Sequence, residues 1–192
     1  MQIDNNTLID DLLDRVSACT QKAHQFEILS LEHLRFRQNS QWNILECLEH
    51  LNLYGNFYLV EIERGIIASA KASNGKFSSG LIGNYFAELM QVKNGKLTKM
   101  KSPKNKDPFR KELTPATIAR FIKQQEKLVE LLNQSRDVDL TKTKCAISLT
   151  RLIRLRLGDT LRFFVYHIER HIQQAERILQ IQVGSEAKSD SL

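Results

Sequence analysis

The chain has 192 residues, 42% hydrophobic and 26% charged, with a formal net charge of +6. That length supports one domain with a full core and leaves little for a second, and with only 8 glycines and 3 prolines the elements should be long helices. The opening MQIDNNTLIDDLLDR lacks a basic head followed by an apolar run, and no window is apolar for long enough to cross a bilayer. A soluble, cytoplasmic protein with no membrane partner is therefore expected. Cys19, Cys47 and Cys145 are odd in number and include no CxxC pair, which argues against a disulfide framework or a zinc knuckle.

Ile3, Leu8, Leu12, Leu13, Val16 and Ala23 recur at helical spacing and predict a first amphipathic helix from about Asp4 to Gln25. The next stretch, SLEHLRFRQNSQW, is less periodic and is expected to cross the end of a bundle. Asn43 with Glu46 then forms the pattern of a capping box, in which Asn43 accepts from a free amide and Glu46 reaches back to the cap. The helix it opens carries the stripe Ile44, Leu48, Leu51, Gly55, Tyr58 and Ile62 and should run to about Ala68.

From Ser69 to Leu113 the chain holds KASNGKFSSG, a short helix around Leu81 to Val92, and the basic run Lys93 to Lys111. Much of the net charge lies in that run, but it has few aromatics to stack bases and no nucleic-acid motif. It reads as a solvated loop, and nucleic acid is not the expected partner. A segment of this length is either a lid or an excursion from the bundle, and Tyr85 and Phe86 are the residues that would cover a cleft.

Thr114 and Pro115 read as N-cap and first residue of a third helix, through Phe121, Leu128 and Leu132 to about Ser135. Arg136 to Leu157 reads as irregular. Asp159 is expected to cap a last helix with the core stripe Leu161, Val165, Ile168, Ile172, Ala175 and Leu179. The polar residues 184–192 are expected to form a disordered tail, leaving 1–183 as a single domain. Four long helices, with no convincing alternating strand and a long, partly irregular segment between the second and third, predict an all-α four-helix bundle.

At about 100° per residue, His167 and His171 lie roughly 40° apart and to one side of the last helix's stripe. Arg162, Glu169, Arg170, Gln173 and Arg177 fall on the other side. Two imidazoles one turn apart can chelate one ion, or each can simply hydrogen-bond at a helix boundary. His50 belongs to a comparable ridge of the second helix, with Asn43, Cys47, Tyr54, Phe57 and Glu61. If the two ridges meet, three neutral imidazoles converge and leave a coordination position open, as catalytic sites do. His24 and His33 have no such partner and read as surface or structural residues.

The motifs QWNILECLEHLNLY, Gln41 to Tyr54, and LGDTLRFFVYHIERHIQQAERIL, Leu157 to Leu179, together resemble the signature segments of the DinB-like superfamily of metal-binding helical bundles. The resemblance implies an up-down-down-up bundle and a divalent ion, nickel or zinc first and iron or manganese next, held by His50, His167 and His171. It places Glu46 as a candidate to orient His50, Tyr54 at the mouth of the site, and Phe57, Phe163 and Phe164 as apolar walls. Similar bundles act as thiol-dependent transferases with low-molecular-weight thiols or as metal-dependent hydrolases; a thiol's carboxylates would be held here by Arg154, Arg156 or Arg170. The alternative is a non-catalytic metal-binding or stress-response module, a homodimer joined through helix faces such as that of Leu53 and Val60.

Overall fold

The computed structural model describes residues 1–69, 72, 75–92 and 101–189, with residues 151 and 185–189 described for the backbone alone. Part of KASNGK, the first eight residues or so of the basic run and residues 190–192 of the expected tail therefore lie outside the described residues. The elements in chain order are β1 (Gln2–Asp4), α1 (Asn5–Glu27), α2 (Leu31–Arg35), α3 (Ile44–Ile67), β2 (Lys76–Ser78), α4 (Leu81–Met90), α5 (Ala116–Gln134), β3 (Lys144–Ile147), β4 (Thr150–Arg156) and α6 (Leu157–Ser189). The fold is mostly helical, and no described helix is long and apolar enough to cross a membrane.

The four long helices form because their apolar residues keep a helical period, and most positions of the predicted stripes become core, with Leu13 and Leu179 only half-buried against it. Leu8, Leu12, Val16 and Ala23 of α1, Ile44, Leu48, Leu51, Tyr58 and Ile62 of α3, and Phe121, Leu128 and Leu132 of α5 are all buried. So are Leu161, Val165, Ile168, Ile172 and Ala175 of α6. α1 packs on α5 and α6, and α3 packs on the same two helices, so the four close around one core. Arg15 and Lys22 pair with Glu169 and Glu176 at 2.8 and 2.5 Å, matched steps that make α1 and α6 parallel. Asn52 donates to the Thr117 carbonyl and Lys127 pairs with Glu63, so α3 and α5 also run parallel.

Several local expectations change. Ile3 pairs with Phe77 in the antiparallel β1–β2 ribbon instead of starting the helix, because Asp4 accepts from the Thr7 amide and fixes the N-cap after it. The expected irregular link contains the β3–β4 hairpin, so two small sheets join the all-α prediction. Its signal was masked because β3 buries Cys145, Ala146 and Ile147 in succession while Leu152 and Ile153 of β4 lie exposed, which breaks the period of two. Thr114 does not cap α5 with its side chain; Pro115 takes the N-cap position, and the Thr117 amide bonds the Thr114 carbonyl. Asp159 lies inside α6, where it accepts from the Gly80 amide and so serves the start of α4. The helix continues to Ser189, across most of the stretch expected to be a disordered tail. Leu53 is half-buried and Val60 exposed, so they do not make a second buried face within the chain.

Gly158 is required by close packing. A Cβ on Gly158 would sit 2.5–2.9 Å from the ring of Phe77, which is fully buried and anchors β2 against the first turn of α6. Gly158→Ala should therefore destabilise the protein by about 1–3 kcal/mol in urea unfolding, as overpacking does. Without that contact the same change would stabilise the helix by up to about 1 kcal/mol, so the sign of the shift decides the point.

Candidate metal centre

α3 and α6 bring His50, His167 and His171 together as buried side chains whose ligand atoms all lie within 4.8 Å of one another. His50 Nε2 is 3.2 Å from His167 Nε2. His50 Nδ1 lies 2.6 Å from the Lys106 carbonyl oxygen, which can only accept. The proton of His50 is thus on Nδ1, and its Nε2 presents a lone pair to the cluster. His171 Nδ1 similarly donates to Gln174 Oε1 at 3.0 Å, one turn along α6. Nδ1 of His167 is buried with no hydrogen-bond partner among the described residues.

Burial holds all three rings in the neutral form. It pushes His50 down to about 4, assisted against by the Lys106 hydrogen bond. His167 and His171 are driven well below the usual range by burial first and then by neighbouring positive charge, Arg170 included. Neutral imidazoles with outward Nδ1–H bonds are the form that binds a cation. The 3.2 Å Nε2 separation is close to the roughly 3.3–3.4 Å that two nitrogens about 2.0–2.1 Å from a tetrahedral ion would show. The donor set fits a divalent ion.

Aromatic rings enclose the cluster. Trp42 stands with its ring centroid 4.7 Å from that of His50 and 5.6 Å from that of His171, held by its indole N–H on Asp107 at 3.2 Å. Tyr54 is 4.9 Å from His50 and 4.5 Å from His167. The three histidines, Trp42 and Tyr54 line a cavity of about 770 Å³. Tyr54 is raised by burial to about 12, so at neutral pH it is a phenol and a hydrogen-bond donor.

The remaining expected site residues divide. Glu46 does not touch His50: its carboxylate completes the capping box and pairs with Arg37, and the orienting group is the Lys106 carbonyl. A backbone acceptor leaves no mark in the sequence. Phe163 lines the cavity, whereas Phe164 is core and Phe57 packs against the core. Arg170 lines the cavity; Arg154 and Arg156 instead donate to the Lys144 and Ser78 carbonyls. Phe86 lines it and Tyr85 is exposed. His24 bonds Glu27 and His33 bonds Ser30, both structural roles. The basic run is no free loop over its described part, since Lys101, Ser102 and Pro103 line the cavity and Lys106 donates to the Leu53 carbonyl. Trp42 and Gln174 belong to the two motifs, which do not express their contacts with the histidines; Gln174 sits at the helical i+3 position from His171.

Fold and site together define a helical bundle with a buried three-histidine cluster opening on a cavity between its second and last long helices. The profile of the DinB superfamily matches residues 12–175, and the chain belongs to that superfamily. No curated protein and no solved structure matches it.

The depressed imidazoles link stability to pH. With His50 at about 4 when folded and 6.5 ordinarily, the unfolded chain takes up its proton first, so the metal-free protein loses stability as pH falls from about 6.5 to 4. His50 alone accounts for about 3 kcal/mol of that loss. Chemical unfolding in the presence of a chelator at several pH values should show a steeper acid slope in the unmodified chain than in His50→Gln. Equal slopes would show that His50 is not held neutral by its surroundings.

Proposed function

We propose that His50, His167 and His171 hold one divalent ion, nickel or zinc first and iron or manganese next, and that the protein is a metal-dependent enzyme of thiol transfer. The observation that carries the metal reading is the committed pair of Nδ1–H bonds, to Lys106 and Gln174, which turns the Nε2 atoms of His50 and His171 inward. The helices are read as an up-down-down-up bundle, supported by the parallel pairs α1–α6 and α3–α5 and by His50 facing His171 while Tyr58 faces Phe163.

A divalent ion at this position supplies a Lewis acid that favours the deprotonated form of a thiol or water beside it. The chain's own residues favour the thiol. Hydrolysis calls for a general base to take a proton from water, and the cavity is lined by no aspartate or glutamate among the described residues. A thiol, which ionises at about 8.5 where free water needs about 15.7, gives up its proton beside an ion with far less help from a base. Trp42, Tyr54 and Phe163 put apolar rings on the histidines' side of the cavity, which lowers the local dielectric and strengthens electrostatic contacts there. Arg170, buried and itself lowered by desolvation, adds positive charge next to His167 and His171 where a thiol's carboxylate would sit.

Metal content of the purified chain should approach one ion per chain, measured by plasma mass spectrometry after dialysis against zinc or nickel, and should collapse in His50→Ala and His167→Ala. Gln174→Ala, which frees the His171 ring, should weaken affinity by about 10–100-fold. Equal low metal in all four proteins would end the reading. The loaded protein should then consume an electrophile with one of several low-molecular-weight thiols, and lose that turnover with chelator. Stoichiometric metal without turnover on any thiol would leave a metal-binding module in place of an enzyme.

A further inference from the structure

The cavity extends well beyond the histidines. Along α6 it is lined from Phe163 to Ile181, a rise of about 27 Å at 1.5 Å per residue. Its composition is lopsided. Lys101, Arg170 and Arg177 line it, with no carboxylate among the described lining residues. The side toward the hairpin and α4 is apolar: Phe86, Met90, Ile147, Leu149, Leu155 and Phe163. Leu149 is 65% exposed and Phe86 half-buried, so apolar surface stands at the mouth with solvent access. Pockets of this volume are built for drug-sized molecules, with apolar walls giving affinity and a few charged groups giving orientation.

We infer that the cavity takes an elongated amphiphilic organic anion, its acid group beside Arg170 and Lys101 and its apolar body laid between α4 and the β3–β4 hairpin. This rests on the proposed enzyme reading for its purpose, since the anion would be the acceptor that meets the thiol, but its binding stands on the cavity alone. The charge argument is independent of the apolar one. The described lining carries cationic side chains and no carboxylate, so an occupant that brings negative charge to this cavity is favoured over a neutral or cationic one. The length argument fixes the body. From Arg170 to Phe163 the helix rises about 10 Å, which matches an extended chain of about eight to ten carbons.

Trp42 is the chain's single tryptophan and lines the cavity, so its fluorescence reports occupancy. The full chain is titrated, both free of metal and loaded with one equivalent of zinc, with decanoate, butyrate, decanol and decyltrimethylammonium below their aggregation limits. Decanoate should bind in both states, with butyrate, decanol and the cation each about tenfold weaker or more. Two variants at exposed positions, which leave folding undisturbed, separate charge from packing. Lys101→Glu should weaken decanoate about tenfold and leave decanol unchanged, whereas Leu149→Glu should weaken both. Decanol or the cation binding as well as decanoate, or butyrate binding equally, would overturn the inference. Failure of zinc uptake with the decanoate preference intact would overturn only the metal reading; zinc uptake without that preference would overturn only this one.

Discussion

A carboxylate removed from water must be paired, and Glu46 meets that demand in a way that sets the geometry of the site. It is fully buried and accepts two guanidinium N–H groups of Arg37, at 2.7 and 2.9 Å, together with the Asn43 amide at 2.9 Å and the Arg110 amide. Three separate pieces of chain therefore meet on one side chain: the link after α2, the start of α3, and the segment leading to α5. Leaving such a group unpaired costs about 3–5 kcal/mol, which is enough to hold Arg110 in a left-handed conformation with φ of 60°. His50 lies one turn further along α3, and the Lys106 carbonyl that orients it belongs to the same pinned segment as Arg110. Glu46 thus governs His50 through the backbone, without touching it.

The electrostatics of the cluster follow from what that arrangement excludes. With no carboxylate among the convergent side chains, only the Lys106 carbonyl and Asp107 near His50 and Gln174 beside His171 favour an imidazolium, and burial outweighs them. Arg170 pushes in the same direction as burial. Three neutral donors of this kind suit a cation, and would cancel none of its charge. Aromatic walls from Trp42, Tyr54 and Phe163 keep the local dielectric low and magnify these charge effects.

The parts of the molecule legible in the sequence are those governed by local periodicity. The core stripes of α1, α3, α5 and α6 and the Asn43–Glu46 capping box depend on neighbours three or four residues away, and the structure has them where the pattern put them. The ridges of α3 and α6 made a meeting of the three histidines possible, and the likeness of Gln41 to Tyr54 and Leu157 to Leu179 to the DinB-like segments singled out the set. What escaped depends on contacts distant in sequence or on the backbone. The Lys106 carbonyl, 56 residues from His50, has no side-chain signature. Asp159 looked like a cap because a carboxylate at a helix start usually is one; it serves instead the Gly80 amide, 79 residues away. Arg154 and Arg156 looked available for a ligand, but their guanidinium groups find carbonyl partners, Lys144 in the hairpin and Ser78 in β2.

The departures from a plain bundle are also what make the cavity. α4 lies against α6 because Asp159 and Arg162 form a buried pair that gathers Ser79, Gly80 and Asn84, and because Gly83 has no Cβ to strike Asp159, which would lie 2.4–2.5 Å away. Together with the hairpin, α4 builds a second wall facing α6 outside the four-helix core. α6 consequently has two buried faces, one formed by Leu161, Val165, Ile168, Ile172 and Ala175 in the core and the other by Phe163, His167, Arg170, His171 and Gln174 on the cavity. A histidine on the first face would be walled in by aliphatic side chains, and one on the charged arc would be hydrated and mobile. Only the ridge between them gives a ring that is desolvated, oriented and still open to a ligand, so the off-stripe position of His167 and His171 is what the site's chemistry requires.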